Sequence, residues 1–353
     1  MTHTITLQPS GHSFEVEPGE SILRAGQAAG YAIPFSCRQG VCSTCRGKIV
    51  EGQVDLGEVH PAYLSEADRA AGFAHLCQAS ALSDVTIEIR ELEGLAGVKV
   101  RKVPCRVSKV EQAASDVTIL HLRLPMNENM MFVAGQHIEL ILPGDVRRCY
   151  SIASKPSVDG VTALELHIRR MPGGLFTDGL LPKLKERELM RFEGPLGTFS
   201  LRENSTKAIV FVASGTGFSA IKAMAEHAFA RGIHTKRPIH LYWGGRIRQD
   251  IYHAALAESW AKEFPGFHFV PVLSEATPAC AWSGRTGFVH NAVMEDFPTM
   301  KEIEVYACGA PMMVEAARRD FIQDCGLAED SFFADAFLSQ ADLSNPEATA
   351  AAS

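Results

Sequence analysis

Cys37, Cys42 and Cys45 crowd one glycine-bearing loop, SCRQGVCSTCRG at residues 36–47, and Cys77 follows in HLCQAS. The spacing is C-x4-C-x2-C…C, which brings thiolates onto a small volume and points to a metal-organised loop, with unliganded thiols as the plain alternative. Two irons need four converging thiolates, with a tight backbone around them, so Gly40 and Gly47 read as turn glycines. Zinc is the rival. It ordinarily takes paired C-x2-C or Cys/His knuckles, and here only one such pair exists, with His75 as the sole neighbour of Cys77.

The remainder of the sequence sets the surroundings of that loop. At 353 residues the chain is too long for one ordinary core. A formal charge of −7 gives no basic footprint for nucleic acid. The start, MTHTITLQPSGHSFEVEPGE, has neither a basic nor an apolar leader region, and no apolar run reaches the roughly 18 residues of a membrane span. A cytoplasmic protein is therefore expected. Its thiols stay reduced there, and the odd count of 9 cysteines also argues against a closed disulfide framework.

Residues 3–16 alternate about a Pro9-Ser10-Gly11 turn, which predicts a hairpin. Ile22, Leu23, Ala25 and Ala29 predict a short helix ended by Gly30, and GKIVEGQV and DVTIEIREL predict strands. With PFSCRQGVCSTCRGKIVEGQV in place, residues 1–92 resemble plant-type ferredoxins. The resemblance implies a [2Fe-2S] cluster on Cys37, Cys42, Cys45 and Cys77 in a β-grasp-like fold. Residues 93–101 read as a linker that would let this domain swing.

From residue 102 to 203 the pattern is short strands with turns, the signature of an antiparallel β-barrel. RCYSIAS at 148–154 fits R-x-Y-S. A guanidinium at Arg148 suits a diphosphate, the Tyr150 ring can cover a flavin, and the Ser151 hydroxyl can reach its N5. The plain alternative is a strand with an exposed arginine. LHIRRMPGGLFT then supplies His167, Arg169, the pair Gly173 and Gly174 that lets backbone approach a phosphate, and the Thr177 hydroxyl. Together these stretches resemble the ferredoxin–NADP reductase superfamily, which implies an FAD-binding barrel. His167 fits a flavin contact and a satisfied structural histidine equally well.

From 204 to 338 apolar strands alternate with helical patterns, which predicts a parallel α/β domain. VASGTGFSAIKAM places Gly215, Thr216 and Gly217 between strand and helix, where a dinucleotide diphosphate sits. Set against the superfamily's G-G-T-G-x-x-P, Ser214 replaces a glycine and Ala220 the proline. YACGAPMM resembles its C-G-x-x-x-M motif, which implies that Cys308 lies beside the nicotinamide C4 and Gly309 admits the ring; a buried structural cysteine is the alternative. Arg246 and Arg248 in YWGGRIRQDIY suit a 2′-phosphate, yet such arginines also occur in NADH-using relatives, so NADH is expected with NADPH open. FFADAF resembles the family's flavin-covering stretch, where Phe337 shields the ring or simply packs. The tail at 339–353 is small and polar and reads as disordered.

The whole is expected to be multidomain, α+β and α/β: plant-type [2Fe-2S] ferredoxin, flavin-binding antiparallel β-barrel and parallel α/β nicotinamide-binding domain. The resemblance implies an enzyme, an NAD(P)H-dependent iron–sulfur flavoprotein oxidoreductase with Ser151, Cys308 and Phe337 at its centre. Electrons would pass from NADH through FAD and the cluster to the terminal component of a Rieske or di-iron oxygenase. A CDP-6-deoxy-glucoseen reductase serving a deoxysugar dehydrase has the same domain order. The Ser214 and Ala220 departures keep a third reading open, a carrier or sensor with a non-catalytic nicotinamide pocket.

Overall fold

The computed structural model describes residues 2–35, 38–40, 43–61, 63–89, 91, 100–278 and 281–337. Most of the linker expected at 93–101, the tail at 339–353, and both Cys37 and Cys42 lie outside them. Two compact units are present, one built from the elements before residue 90 together with Gly197–Phe199, and one from the other described residues from 100 onward.

In the first unit, β1 (His3–Gln8) and β2 (Ser13–Val16) form the expected hairpin, with Gly11 left-handed at φ 75°. Helix α1 (Ile22–Ala28) starts where the Ser21 hydroxyl accepts the Arg24 N–H, and it buries Ile22, Leu23 and Ala25. β3 (Arg46–Glu51), β4 (Val54–Asp55), α2 (Glu66–Ala70), β5 (Phe73–His75), β6 (Ser80–Ala81) and β7 (Val85–Glu88) complete it. The sheet runs β2-β1-β7-β3-β5, with β1 and β7 parallel. The single strand expected across GKIVEGQV is interrupted at Gly52, whose φ of 94° no β-branched residue adopts readily.

The second unit holds two sheets. β8 (Arg101–Ala114), β9 (Val117–Arg123), β10 (His137–Ile141), β11 (Arg147–Ser151), β12 (Ala163–Arg169) and β13 (Leu189–Leu196) form a six-stranded sheet in the order β11-β10-β13-β8-β9-β12. An Ile152–Leu166 bridge joins its two edges, so it closes as an antiparallel barrel around Leu120, Leu122, Ile138, Leu140, Leu166 and Phe192.

The other sheet is parallel. It comprises β14 (Ala208–Ser214), β15 (Ile239–Gly245), β16 (Phe267–Leu273), β17 (Arg285–Thr286), β18 (Ile303–Gly309) and β19 (Phe332–Ala336). Helices α3 (Phe218–Ala230), α4 (Ala254–Glu263), α5 (Val289–Asp296) and α6 (Pro311–Gln323) connect its strands. The order β17-β16-β15-β14-β18-β19 shows the chain leaving β14 in one direction and returning to its other side at β18. That reversal opens a crevice at the carboxyl ends of β14 and β18, where parallel α/β sheets receive ligands. Among the described residues no helix is long and apolar enough to cross a membrane.

Candidate redox sites

In the first unit the two described thiols, Cys45 and Cys77, are buried at the loop. The segment carrying Cys77 is laced to it. His75 Nδ1 lies 2.8 Å from the Gly40 carbonyl, and the Gln78 amide donates to the Arg38 carbonyl at 3.0 Å and to Cys77 Sγ at 3.8 Å. Gly40 has φ 77°, and a Cβ there would press on Gln78 and Val59 at 3.0 and 3.2 Å, so glycine is required for conformation and for room. Arg38 and Ser43 also take positive φ, of 56° and 54°. A loop turned this sharply, with soft buried sulfur donors, suits an iron–sulfur cluster. Gly47 behaves differently from the turn glycine expected of it: it sits inside β3, and a Cβ there would meet Ile87 at 2.9 Å, so its role is close sheet packing.

In the second unit β11 carries the R-x-Y-S residues. Ser151 is buried and its hydroxyl donates to Asp335 Oδ2 at a long 3.5 Å. The half-buried Tyr150 ring lies 5.7 Å from Phe176, and burial raises its phenol far above the usual range. Arg148 donates to the Arg147 carbonyl at 2.8 Å. Beyond β12, Gly173 turns left-handed and Gly174 leaves no room for a Cβ, which would stand 2.5 Å from Thr177 Oγ1. The Thr177 hydroxyl donates to the Met171 carbonyl and accepts its N–H, while Asp178 takes the Gly173 N–H at 2.9 Å. This turn is narrow and held by its own hydrogen bonds, directly after β12.

The nicotinamide signals converge at the crevice. Gly215, Thr216 and Gly217 form a tight turn between β14 and α3, and Trp243 Nε1 donates to the Gly215 carbonyl at 3.2 Å. A Cβ on Gly217 would lie 2.0 Å from the Cys308 carbonyl oxygen, so the turn can pack on β18 only as glycine. Gly309, at φ 140°, is equally restricted: a Cβ there would fall 2.2 Å from Ser214 Oγ. Ser214, the first departure from the family pattern, thus fills the space that Gly309 leaves. Ala220, the second, is fully buried within α3. Cys308 is wholly buried, and burial followed by the Asp335 charge pushes its thiol well above the ordinary range. It is a protonated packing group within β18, with none of the thiolate character a nucleophile needs. Cys308 pairs in register with Asp335 of β19, and the Phe337 N–H donates to the Gly309 carbonyl at 2.8 Å. FFADAF is therefore a sheet strand, Phe332–Ala336, with Phe337 directly after its end.

Two candidates are committed to protein partners. His167 has both ring nitrogens engaged, Nε2 with Glu165 Oε1 at 2.7 Å and Nδ1 with the Tyr252 hydroxyl at 2.8 Å. Arg169 reaches Asp116 and Asp250, each at 3.4 Å, and its guanidinium lies over Gly215. On the adenosine side, Arg246 is exposed, but its Nε and backbone N–H both point at Asp250 Oδ2, at 3.2 and 2.9 Å. Asp250 and Tyr252 were not singled out from the sequence. The signal available was their place within YWGGRIRQDIY, after a strand ending in two glycines.

The chain matches three family models: the 2Fe-2S iron-sulfur cluster binding domain over residues 5–82, the oxidoreductase FAD-binding domain over 104–201 and the oxidoreductase NAD-binding domain over 211–319. It is 39% identical over 338 residues to the CDP-6-deoxy-L-threo-D-glycero-4-hexulose-3-dehydrase reductase of Yersinia pseudotuberculosis serotype I (strain IP32953), covering 96% of this chain and 99% of that one. To the phenol 2-monooxygenase reductase component DmpP of Pseudomonas sp. (strain CF600) it is 34% identical, covering 97% and 96%. Among solved structures, the Amycolatopsis cytochrome P450 reductase GcoB superposes with a TM-score of 0.75 at 35% identity, over 95% of this chain and 99% of that one.

Proposed function

We propose a function from the premise that this chain belongs to the family of iron–sulfur flavoprotein reductases, which join a 2Fe-2S domain to FAD- and NAD-binding domains. It is an oxidoreductase that takes electrons from NAD(P)H and conducts them through FAD and a [2Fe-2S] cluster to a separate protein. Bound flavin supplies the conversion of a two-electron hydride into the single electrons that a cluster accepts.

The residues divide the work. Cys37, Cys42, Cys45 and Cys77 hold the cluster. Arg148 neutralises the FAD diphosphate while Gly173, Gly174 and Thr177 give it a close backbone wall. Tyr150 lies against the ring and the Ser151 hydroxyl is aimed at N5. Gly215, Thr216 and Gly217 receive the nicotinamide diphosphate at the start of α3. Gly309 leaves room for the nicotinamide beside Cys308, whose neutral thiol excludes water, and Phe337 covers the exposed side. His167 and Arg169 stand behind these groups, tied to Tyr252 and Asp250. NADH is the preferred donor, because the Asp250 carboxylate already answers Arg246 and would repel a 2′-phosphate. The domain limits 1–92, 102–203 and 204–338 go with this assignment.

One observation carries the reading. Asp335 is in register with Cys308 and takes the Ser151 hydroxyl, so the flavin-directed serine and the nicotinamide-directed cysteine meet at one carboxylate. The acceptor we propose is the terminal component of a multicomponent oxygenase. The 39% identity to a hexulose dehydrase reductase supports a second acceptor, a deoxysugar dehydrase. A cytoplasmic location belongs to the same proposal, since thiolates awaiting iron need reducing surroundings. The test is NADH oxidation with two acceptors, ferricyanide and cytochrome c. Wild type reduces both, and Cys77→Ser loses cytochrome c reduction while keeping ferricyanide reduction. Failure of the wild type, reconstituted with FAD, iron and sulfide, to reduce either would end the proposal.

A further inference from the structure

Besides the Ser151–Asp335 contact, a row of side chains on β12 joins the barrel to the nicotinamide layer. On β12, Glu165, His167 and Arg169 alternate and so share a face. Each meets a different part of the nicotinamide layer: Glu165 meets Lys222 of α3, His167 meets Tyr252 beyond β15, and Arg169 meets Asp250 and overlies Gly215.

Lys222 is the unusual member. It lies on α3, yet it is only 8% exposed. A lysine is rarely buried without dedicated partners. Its Nζ lies 3.0 Å from Glu226, 3.4 Å from Glu165 and 3.3 Å from the carbonyl oxygen of Ala153. Two of these partners are themselves neighbours, since the Ala153 N–H donates to the Glu165 carbonyl at 2.8 Å and Ser154 Oγ accepts the Glu165 N–H at 2.7 Å. Burial works to raise the Glu165 carboxyl, but the hydrogen bond from His167 and the Lys222 charge bring it down to about 2, so it stays ionised. Burial lowers His167 in turn, against the pull of Glu165. The neutral ring donates through Nε2–H to Glu165 and accepts the Tyr252 hydroxyl at Nδ1.

Lys222 therefore grips the exit of β11, two residues past Ser151, and β12 as well. It does so from the helix whose start packs on Cys308 through Gly217. We infer that Lys222, acting through Glu165 and Ala153, is a positioning residue that sets Ser151 against Cys308 and so fixes the approach of nicotinamide to flavin. The inference rests on the hydride path proposed above. Removing the ammonium leaves Glu165 and Glu226 facing each other without a cation, and the seam relaxes.

The test compares Lys222→Met and Lys222→Arg with wild type, as full-length protein carrying FAD and cluster. Lys222→Met is expected to keep its FAD absorption and a KM for NADH within about twofold, while kcat with ferricyanide falls about tenfold. The deuterium isotope effect with 4-deuterated NADH rises, and the long-wavelength charge-transfer band between NAD+ and reduced flavin weakens. Lys222→Arg recovers most of the rate and the band. In flavin-free protein, hydrogen exchange across β12 and the start of α3 is faster in Lys222→Met alone. If Lys222→Met fails to fold, Glu165→Gln gives the same readouts. An unchanged kcat with an unchanged band overturns the inference, as does a loss confined to KM or to FAD content. A wild type inactive with ferricyanide overturns the hydride path instead.

Discussion

The Ser214 hydroxyl accepts the backbone N–H of Ala310 at 2.9 Å, joining the end of β14 to the start of α6 across 96 positions. This serine stands where the family pattern has glycine, and Gly309 opposite it has no side chain to spare. The substitution is thus compensated locally, and it argues for a working pocket over a decayed one. Ser214→Ala removes both the acceptor and the oxygen that fills the space beside Gly309. It should cost about 1 kcal/mol of stability and leave NADH oxidation within about twofold, read by denaturant unfolding and steady-state kinetics.

Gly217 has no such latitude. A methyl group there would overlap a backbone carbonyl that cannot rotate away. Gly217→Ala should destabilise the protein by about 3 kcal/mol and raise KM for NADH at least about tenfold, because the turn must lift off β18. Unaltered kinetics in Gly217→Ala would mean that the turn does not touch the nucleotide.

The state of Cys308 is open to direct chemical test. Its thiol is buried and held protonated, whereas Cys149 is exposed. Iodoacetamide at neutral pH should label Cys149 and spare Cys308 in the folded protein, as read by peptide mass spectrometry. Cys308→Ala should retain activity, lowered about tenfold through looser ring packing. Complete loss with intact FAD would require a chemical role that the geometry does not give it.

Nucleotide preference turns on Asp250, which faces both Arg246 and Arg169. Asp250→Ala should raise kcat/KM for NADPH roughly tenfold, the worth of about one charge-assisted hydrogen bond. The NADH value should not rise with it. An equal rise for both nucleotides would point to a general electrostatic effect.

Stability should also vary with pH through His240, which stacks on His268 at 4.6 Å on the neighbouring strand. Burial, then the nearby His268, lowers it to about 4 from an ordinary 6.5. Between these values the unfolded chain binds the proton and the folded one does not, so stability is full above 6.5 and falls as pH drops through 4. Thermal melts from pH 7 to 4 should show that loss in wild type and a shallower one in His240→Phe.

The apolar runs of β14, β15, β16 and β18 were legible in the sequence because strands buried on both faces read as continuous hydrophobic stretches. The hairpin and α1 were legible from turn residues and spacing. Helices α4 and α5 escaped notice because few of their residues are buried, chiefly Ala257 and Trp260 in one and Val289, Ala292 and Val293 in the other. Glycines marked both sites but not their purpose: Gly40 turns the chain, while Gly47 only makes room. Lys222 looked like any helix lysine, and His167 stood apart from a partner 85 positions away. Such roles arise from contacts that no local pattern encodes.

The last sheet strand has a consequence for biosynthesis. Ser151 leaves the ribosome 184 residues before Asp335. At roughly 5–20 residues per second, a nascent chain spends seconds to tens of seconds with its barrel made and its crevice unfinished. Translation that stops short of β19 would yield a polypeptide able to assemble its N-terminal unit but lacking the carboxylate that brings serine and cysteine together.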